Sequence, residues 1–113
     1  MRDLAPNIHR QRLVVEGSVT RQITREDIVR YLKELGQLTE MRVLTEPVTH
    51  QSPMYGWAGW VHWETSGAHF YAWDEPYQFF SVDVYTCKAF DPDAVTAFTA
   101  EFFGATETVS HGF

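Results

Sequence analysis

The sequence predicts an α+β domain, a two-layer sandwich in which an antiparallel sheet carries two helices on one face. Three observations carry this. Two segments, beginning at Thr24 and at Asp91, combine helical periodicity with capping residues. Around them lie short runs in which apolar and polar side chains alternate, as in a sheet with one covered face. Small residues and turn formers, not long crossovers, separate most of those runs, so neighbouring strands are expected to be antiparallel.

Residues 1–9, MRDLAPNIH, lack periodicity and contain a proline, and read as an N-terminal arm before a single domain over residues 10–113. RQRLVVEGSV gives a short strand centred on Leu13, Val14 and Val15. TREDIVRYLKELG is the first helix. Thr24 caps it, Asp27 completes a capping pair, Ile28, Tyr31, Leu32 and Leu35 form its apolar stripe, and Gly36 is expected to end it. MRVLTEPV reads as a second strand and THQSPMYG as a turn. Strands follow at WAGWVHWE, AHFYAW and QFFSVDVYTC, the first two separated by Thr65, Ser66 and Gly67. DPDAVTAFTAEFFG is the second helix, with Asp91 as cap, Pro92 in its first turn, Gly104 as stop and Val95, Phe98 and Phe102 as stripe. ATETVS closes the sheet as an edge strand.

Strand parity separates two kinds of face. Phe80, Val82 and Val84 make a plain hydrophobic side, whereas Phe79, Ser81, Asp83, Tyr85 and Cys87 make a mixed one; His69, Tyr71 and Trp73 share one side of the preceding strand. Aromatic rings beside polar groups mark a ligand surface or a subunit contact, and a homodimer is the expected assembly.

Bulk composition narrows the function. With 113 residues, 44% hydrophobic and 15% aromatic, the chain can build one core and not two. A formal net charge of −6 with nine scattered Lys and Arg argues against a nucleic-acid surface and suits a small cationic ligand. A lone cysteine and no basic, apolar leader make a cytoplasmic protein the expectation, and no apolar run approaches the ~20 residues that cross a bilayer.

RLVVEG and the first helix, then HQSPMYGWAG, ETSGAHFYAWDE and VDVYTCKAFDP, resemble the small prokaryotic S-adenosylmethionine decarboxylases across roughly residues 10–110. Those proenzymes cleave themselves, and the serine freed at the new N-terminus becomes a pyruvoyl group. The resemblance implies that Ser66 is the pyruvoyl precursor, that the Thr65–Ser66 bond is cut through an ester, and that the substrate amine condenses with the resulting carbonyl, which takes up the electrons left by carbon dioxide. It makes Cys87 the proton donor to the decarboxylated carbon and places Trp73 and Glu75 in the substrate pocket. Glu16, an acidic residue in the middle of the first strand, is a further candidate for the pocket.

Against the family pattern, Thr65 stands where the family has glutamate, Ala58 where a processing serine is expected, and Tyr71 where a processing histidine is expected. His69 lies on the same strand face as Tyr71 and is the candidate replacement base. The implied function is pyruvoyl-dependent decarboxylation of S-adenosylmethionine or a related amino acid for polyamine synthesis. An uncleaved homologue that binds a small cationic ligand or regulates a partner is the alternative. His62, Glu64 and His69 could in principle serve metal or acid–base chemistry, but their spacing matches no recognised ligand set, so no metal is assigned.

Overall fold

The computed structural model describes residues 1–113. Six strands and two helices follow in the order β1 (Gln11–Ser18), α1 (Arg25–Leu38), β2 (Val48–Gln51), β3 (Trp57–Trp63), β4 (Ser66–Trp73), β5 (Phe79–Thr86), α2 (Pro92–Phe103) and β6 (Glu107–Gly112). The strands form one sheet in the order β2-β3-β4-β5-β1-β6, and every neighbouring pair is antiparallel. The sheet with its pair of helices is the predicted α+β sandwich. Residues 1–10 precede it as an exposed arm, and neither helix is long and apolar enough to cross a membrane.

The core lies between the helices and the sheet face that carries Leu13, Val15, Val61, Trp63, Phe70, Phe80 and Val82. Tyr31 of α1 is its centre, with the rings of Phe70, Phe98, Phe102 and Phe103 at centroid separations of 4.9 to 5.6 Å. The opposite sheet face carries no helix. Trp60, His69, Tyr71, Trp73 and Phe79 form a nearly continuous run of rings across it.

Four local expectations are corrected. Gly36 does not stop α1; it is buried inside the helix, where an added Cβ would come within 3.1 Å of Trp63 Nε1, so the glycine serves close approach. The helix runs on to Leu38 and turns at Glu40, which takes a φ of +56° while Met41 N donates to Gly36 O at 2.8 Å.

MRVLTEPV is not a strand. Val43 makes a single bridge to Trp63, Val43 and Leu44 stay exposed, and regular pairing begins only after Pro47, which has no N–H to give, at Val48. Ser66 is not part of a linker: Glu64 and Thr65 alone make the β3–β4 turn, and Ser66 is the first residue of β4, paired with Trp63. Finally, α2 buries Val95, Thr99 and Phe103, with Phe98 and Phe102 half-buried beside them. Thr99 is tolerated in the core because its hydroxyl donates to Val95 O at 2.7 Å and meets Tyr31 Oη at 2.7 Å.

Candidate active site

The tight β3–β4 turn fixes the site. With only two residues to reverse the chain, Thr65 is held at a φ of +65°, a conformation that costs a β-branched residue on the order of 1–3 kcal/mol. Its hydroxyl donates to Glu64 O at 2.5 Å. The left-handed residue immediately precedes Ser66.

Ser66 has the parity of Ala68 and Phe70, and its side chain is buried, 4% exposed. Its Oγ accepts a hydrogen bond from the backbone N of Cys87 at 3.2 Å. β4 and β5 are adjacent, and the register that sets Gly67 against Tyr85 carries Ser66 to the end of β5, where Cys87 follows. Cys87 is half-buried, and its Sγ lies 3.7 Å from Tyr85 Oη. The Arg12 guanidinium stands 5.0 Å from the centroid of the Tyr85 ring, from the neighbouring strand β1.

The N-terminus of α2 carries its own cap: Asp91 Oδ1 accepts from Asp93 N at 2.9 Å and from Ala94 N at 3.3 Å. Cys87 meets Ser66 Oγ through its backbone N and Tyr85 Oη through its sulfur.

Cys87 and His69 line one open cavity of about 920 Å³ on the uncovered sheet face, together with Trp60, His62, Thr65, Gly67, Tyr71, Asp83 and Tyr85, and Ser66 borders it with its side chain on the core parity. His69 lies between two rings, 6.2 Å from Trp60 at an interplanar angle of 17° and 6.4 Å from Tyr71, and is directly opposite Asp83. The cavity wall thus offers aromatic faces and one carboxylate, the groups a cation requires.

The three residues expected to bind substrate are not in this cavity. Trp73 stacks on Phe79 at 4.6 Å and 9°, at the other end of β4, and seven residues of strand put it about 23 Å from Ser66. Glu75 lies exposed in the β4–β5 connection. Glu16, exposed on β1, shares a separate depression with Tyr77, Phe79 and Glu107. Trp73 and Glu16 therefore gather around Phe79, and the chain carries two groups of candidate residues at opposite ends of one face. His62, Glu64 and His69 do not converge on a metal position; Glu64 turns to Arg42 at 3.6 Å.

Tyr85 and His62 are the wall residues to which sequence reasoning gave no role at Ser66. Tyr85 was visible only as a member of the mixed strand face, and the place of His62 depends on a hairpin register that residue spacing leaves open.

The residues present suit a serine-derived carbonyl group. Ser66 is buried yet borders a cavity, and its hydroxyl has a fixed donor. No curated protein matches the chain in sequence. Among solved structures, the crystal structure of the adenosylmethionine decarboxylase from Aquifex aeolicus VF5 has the same fold, with a TM-score of 0.76 and 16% identity over 94% of this chain and 89% of that one. The S-adenosylmethionine decarboxylase family model matches residues 15–113, all but the arm and the start of β1, and the chain belongs to that family.

Proposed function

We propose that the chain is a pyruvoyl-dependent decarboxylase acting on S-adenosylmethionine or a related cationic amino acid, matured by its own cleavage between Thr65 and Ser66. The observation that carries this reading is the joining of Ser66 to Cys87 (Cys87 N to Ser66 Oγ, 3.2 Å) directly after the left-handed Thr65. The left-handed turn residue costs conformational energy that a cut chain no longer has to meet. A pyruvoyl group at Ser66 supplies an electrophilic carbonyl that binds the substrate amine and accepts the electron pair left by carbon dioxide.

The chain's own residues do the rest. Trp60, Tyr71 and Tyr85 present ring faces to a sulfonium or ammonium group, His69 is held in place by its ring neighbours, and Asp83 supplies the opposite charge. Cys87 delivers the proton to the carbon that has lost its carboxylate, with Tyr85 Oη holding the sulfur at 3.7 Å. The product would serve polyamine synthesis. The open, aromatic sheet face is the surface of a homodimer: Trp60 and Tyr71 remain 39% and 41% exposed, and a second copy laid across it head to tail brings its Trp73 and Glu16 towards Ser66.

Intact mass of the purified chain tests the reading. Fragments 1–65 and 66–113, the second with a carbonyl that reacts with hydroxylamine, are expected. A single unbroken chain of unmodified mass after long incubation overturns it.

A second reading is favoured by Ala58 and Tyr71, which lack the hydroxyl and the imidazole used in family processing. An uncleaved homologue would keep the cavity as a binding site for a cationic amino acid. Thermal shift with S-adenosylmethionine, its decarboxylated product, arginine and ornithine reports such binding through linkage, whether or not the chain is cut.

A further inference from the structure

Cleavage at Ser66 needs a group that takes up the serine α-proton, and, resting on the processing reading above, we propose that His62 is that group. The β3–β4 register sets His62 directly across from Gly67 and Trp63 across from Ser66. Gly67 has no side chain to separate them. A Cβ built on it would stand 2.9 Å from Val61 O and 4.0 Å from His62 Nδ1, so the imidazole lies against the backbone of the residue that follows Ser66. His62 opens into the same cavity as Thr65, Ser66 and Cys87. The carboxylate nearest it in sequence, Glu64, is engaged elsewhere, by Arg42 at 3.6 Å.

Within the same chain the other ring candidates lie further along the strand. His69 is three residues along β4 from Ser66, about 10 Å, and is packed between Trp60 and Tyr71. Tyr71 is five residues along, about 17 Å.

The chemistry balances without an added oxidant or reductant. Ser66 Oγ bonds to the Thr65 carbonyl carbon as the C–N bond breaks, and the hydroxyl proton passes to the Ser66 nitrogen, leaving an ester and a free amine. His62 takes the α-proton. The released pair forms a Cα=Cβ double bond while the ester C–O bond breaks, and Thr65 departs as a carboxylate. Tautomerisation to an imine and attack by water then release ammonia and leave the ketone. Neutral imidazole is the side chain best matched to the proton transfer near pH 7.

The experiment follows cleavage of purified full-length chains by gel and mass, with His62→Ala, His62→Gln, His111→Gln as a histidine control on β6, and Ser66→Ala as the uncleavable baseline. Wild type and His111→Gln are expected to yield fragments 1–65 and 66–113 at equal rates. The His62 variants are expected to be about 100-fold slower and to accumulate the ester, which hydroxylamine cuts to a second fragment beginning with serine. Imidazole added to His62→Ala should restore elimination. Cleavage of both His62 variants at the wild-type rate overturns the assignment while leaving self-processing intact; so does slow cleavage with neither trapped ester nor imidazole rescue. Wild type that stays whole with and without hydroxylamine overturns self-processing itself, and the role of His62 with it.

Discussion

Ala58 and Tyr71 are direct cross-strand partners on β3 and β4. The two positions where the family resemblance leads to processing groups being expected therefore face each other, a methyl beside a ring that is 41% exposed. Along extended β4, five residues separate Tyr71 from Ser66, about 17 Å. No side chain at position 71 spans that distance within one chain, so the pair can act on a Thr65–Ser66 bond only from a second copy. A chain carrying Ala58→Ser, Tyr71→His and Ser66→Ala, itself uncleavable, should accelerate cleavage of tagged wild-type chains mixed with it by about tenfold. Mixed samples that cleave no faster than wild type alone would show that the pair does not reach the bond of a second copy.

Cys87 touches Ser66 through its backbone and the cavity through its sulfur. Cys87→Ser keeps the N–H that meets Ser66 Oγ and replaces only the thiol, so maturation and turnover should part company. The variant is expected to yield the two fragments as fast as wild type while releasing carbon dioxide about 100-fold more slowly. Fragment analysis beside a carbon dioxide release assay measures both. Equal loss of cleavage and turnover would mean that the sulfur takes part in chain scission.

What the sequence disclosed and what it concealed follow from the range of the forces involved. The capping pair at Thr24 and Asp27, the Asp91–Pro92 start of α2 and its Gly104 stop are set by a few adjacent residues, and each is found as expected. Gly36 misled because a glycine near a helix end can serve a turn or a close contact, and only the position of Trp63 decides between them. Thr99 was passed over in favour of Phe98 and Phe102 because its core position depends on a partner, Tyr31, that lies 68 residues away in the chain. The same holds for the site. Ser66 and Cys87 are candidates through family resemblance, whereas the place of His62 beside Gly67 depends on the two-residue turn, since a shift of one residue would carry its ring to the opposite face.

Tyr31 and Thr99 should respond unequally to loss of their shared hydrogen bond. Burial pushes the Tyr31 phenol well above its ordinary pKa, against the opposing hydrogen bond with Thr99, so the group stays neutral and keeps its proton to donate. Tyr31→Phe removes the donor but leaves the Thr99 hydroxyl bonded to Val95 O, and is expected to cost about 1 kcal/mol. Thr99→Val strands the Tyr31 hydroxyl in a dry core and should cost more, about 2–3 kcal/mol. Urea unfolding of the two variants against wild type measures both. Equal losses would mean that water replaces the missing partner.

Asp27 makes the stability of α1 depend on acid. Partial burial raises its pKa, but hydrogen bonds from Thr24 N at 3.0 Å and Arg21 Nη1 at 2.7 Å, with the Thr24 hydroxyl and the Arg21 charge, outweigh that and hold the carboxyl below the usual aspartate range. A group whose pKa is lower folded than unfolded stabilises the fold above its unfolded pKa, and that contribution is lost as pH falls through the folded value. The stability gap between wild type and Asp27→Asn should therefore be constant above about pH 5 and shrink as pH drops below about 4. Thr24→Ala removes one member of the reciprocal cap and should cost about 1 kcal/mol near pH 7. It should also weaken the acid dependence, because Asp27 then loses the hydroxyl that helps to hold its charge. Urea midpoints for the three chains between pH 3 and pH 7 measure these effects; a wild-type to Asp27→Asn gap independent of pH would show that the carboxylate charge contributes nothing to the cap.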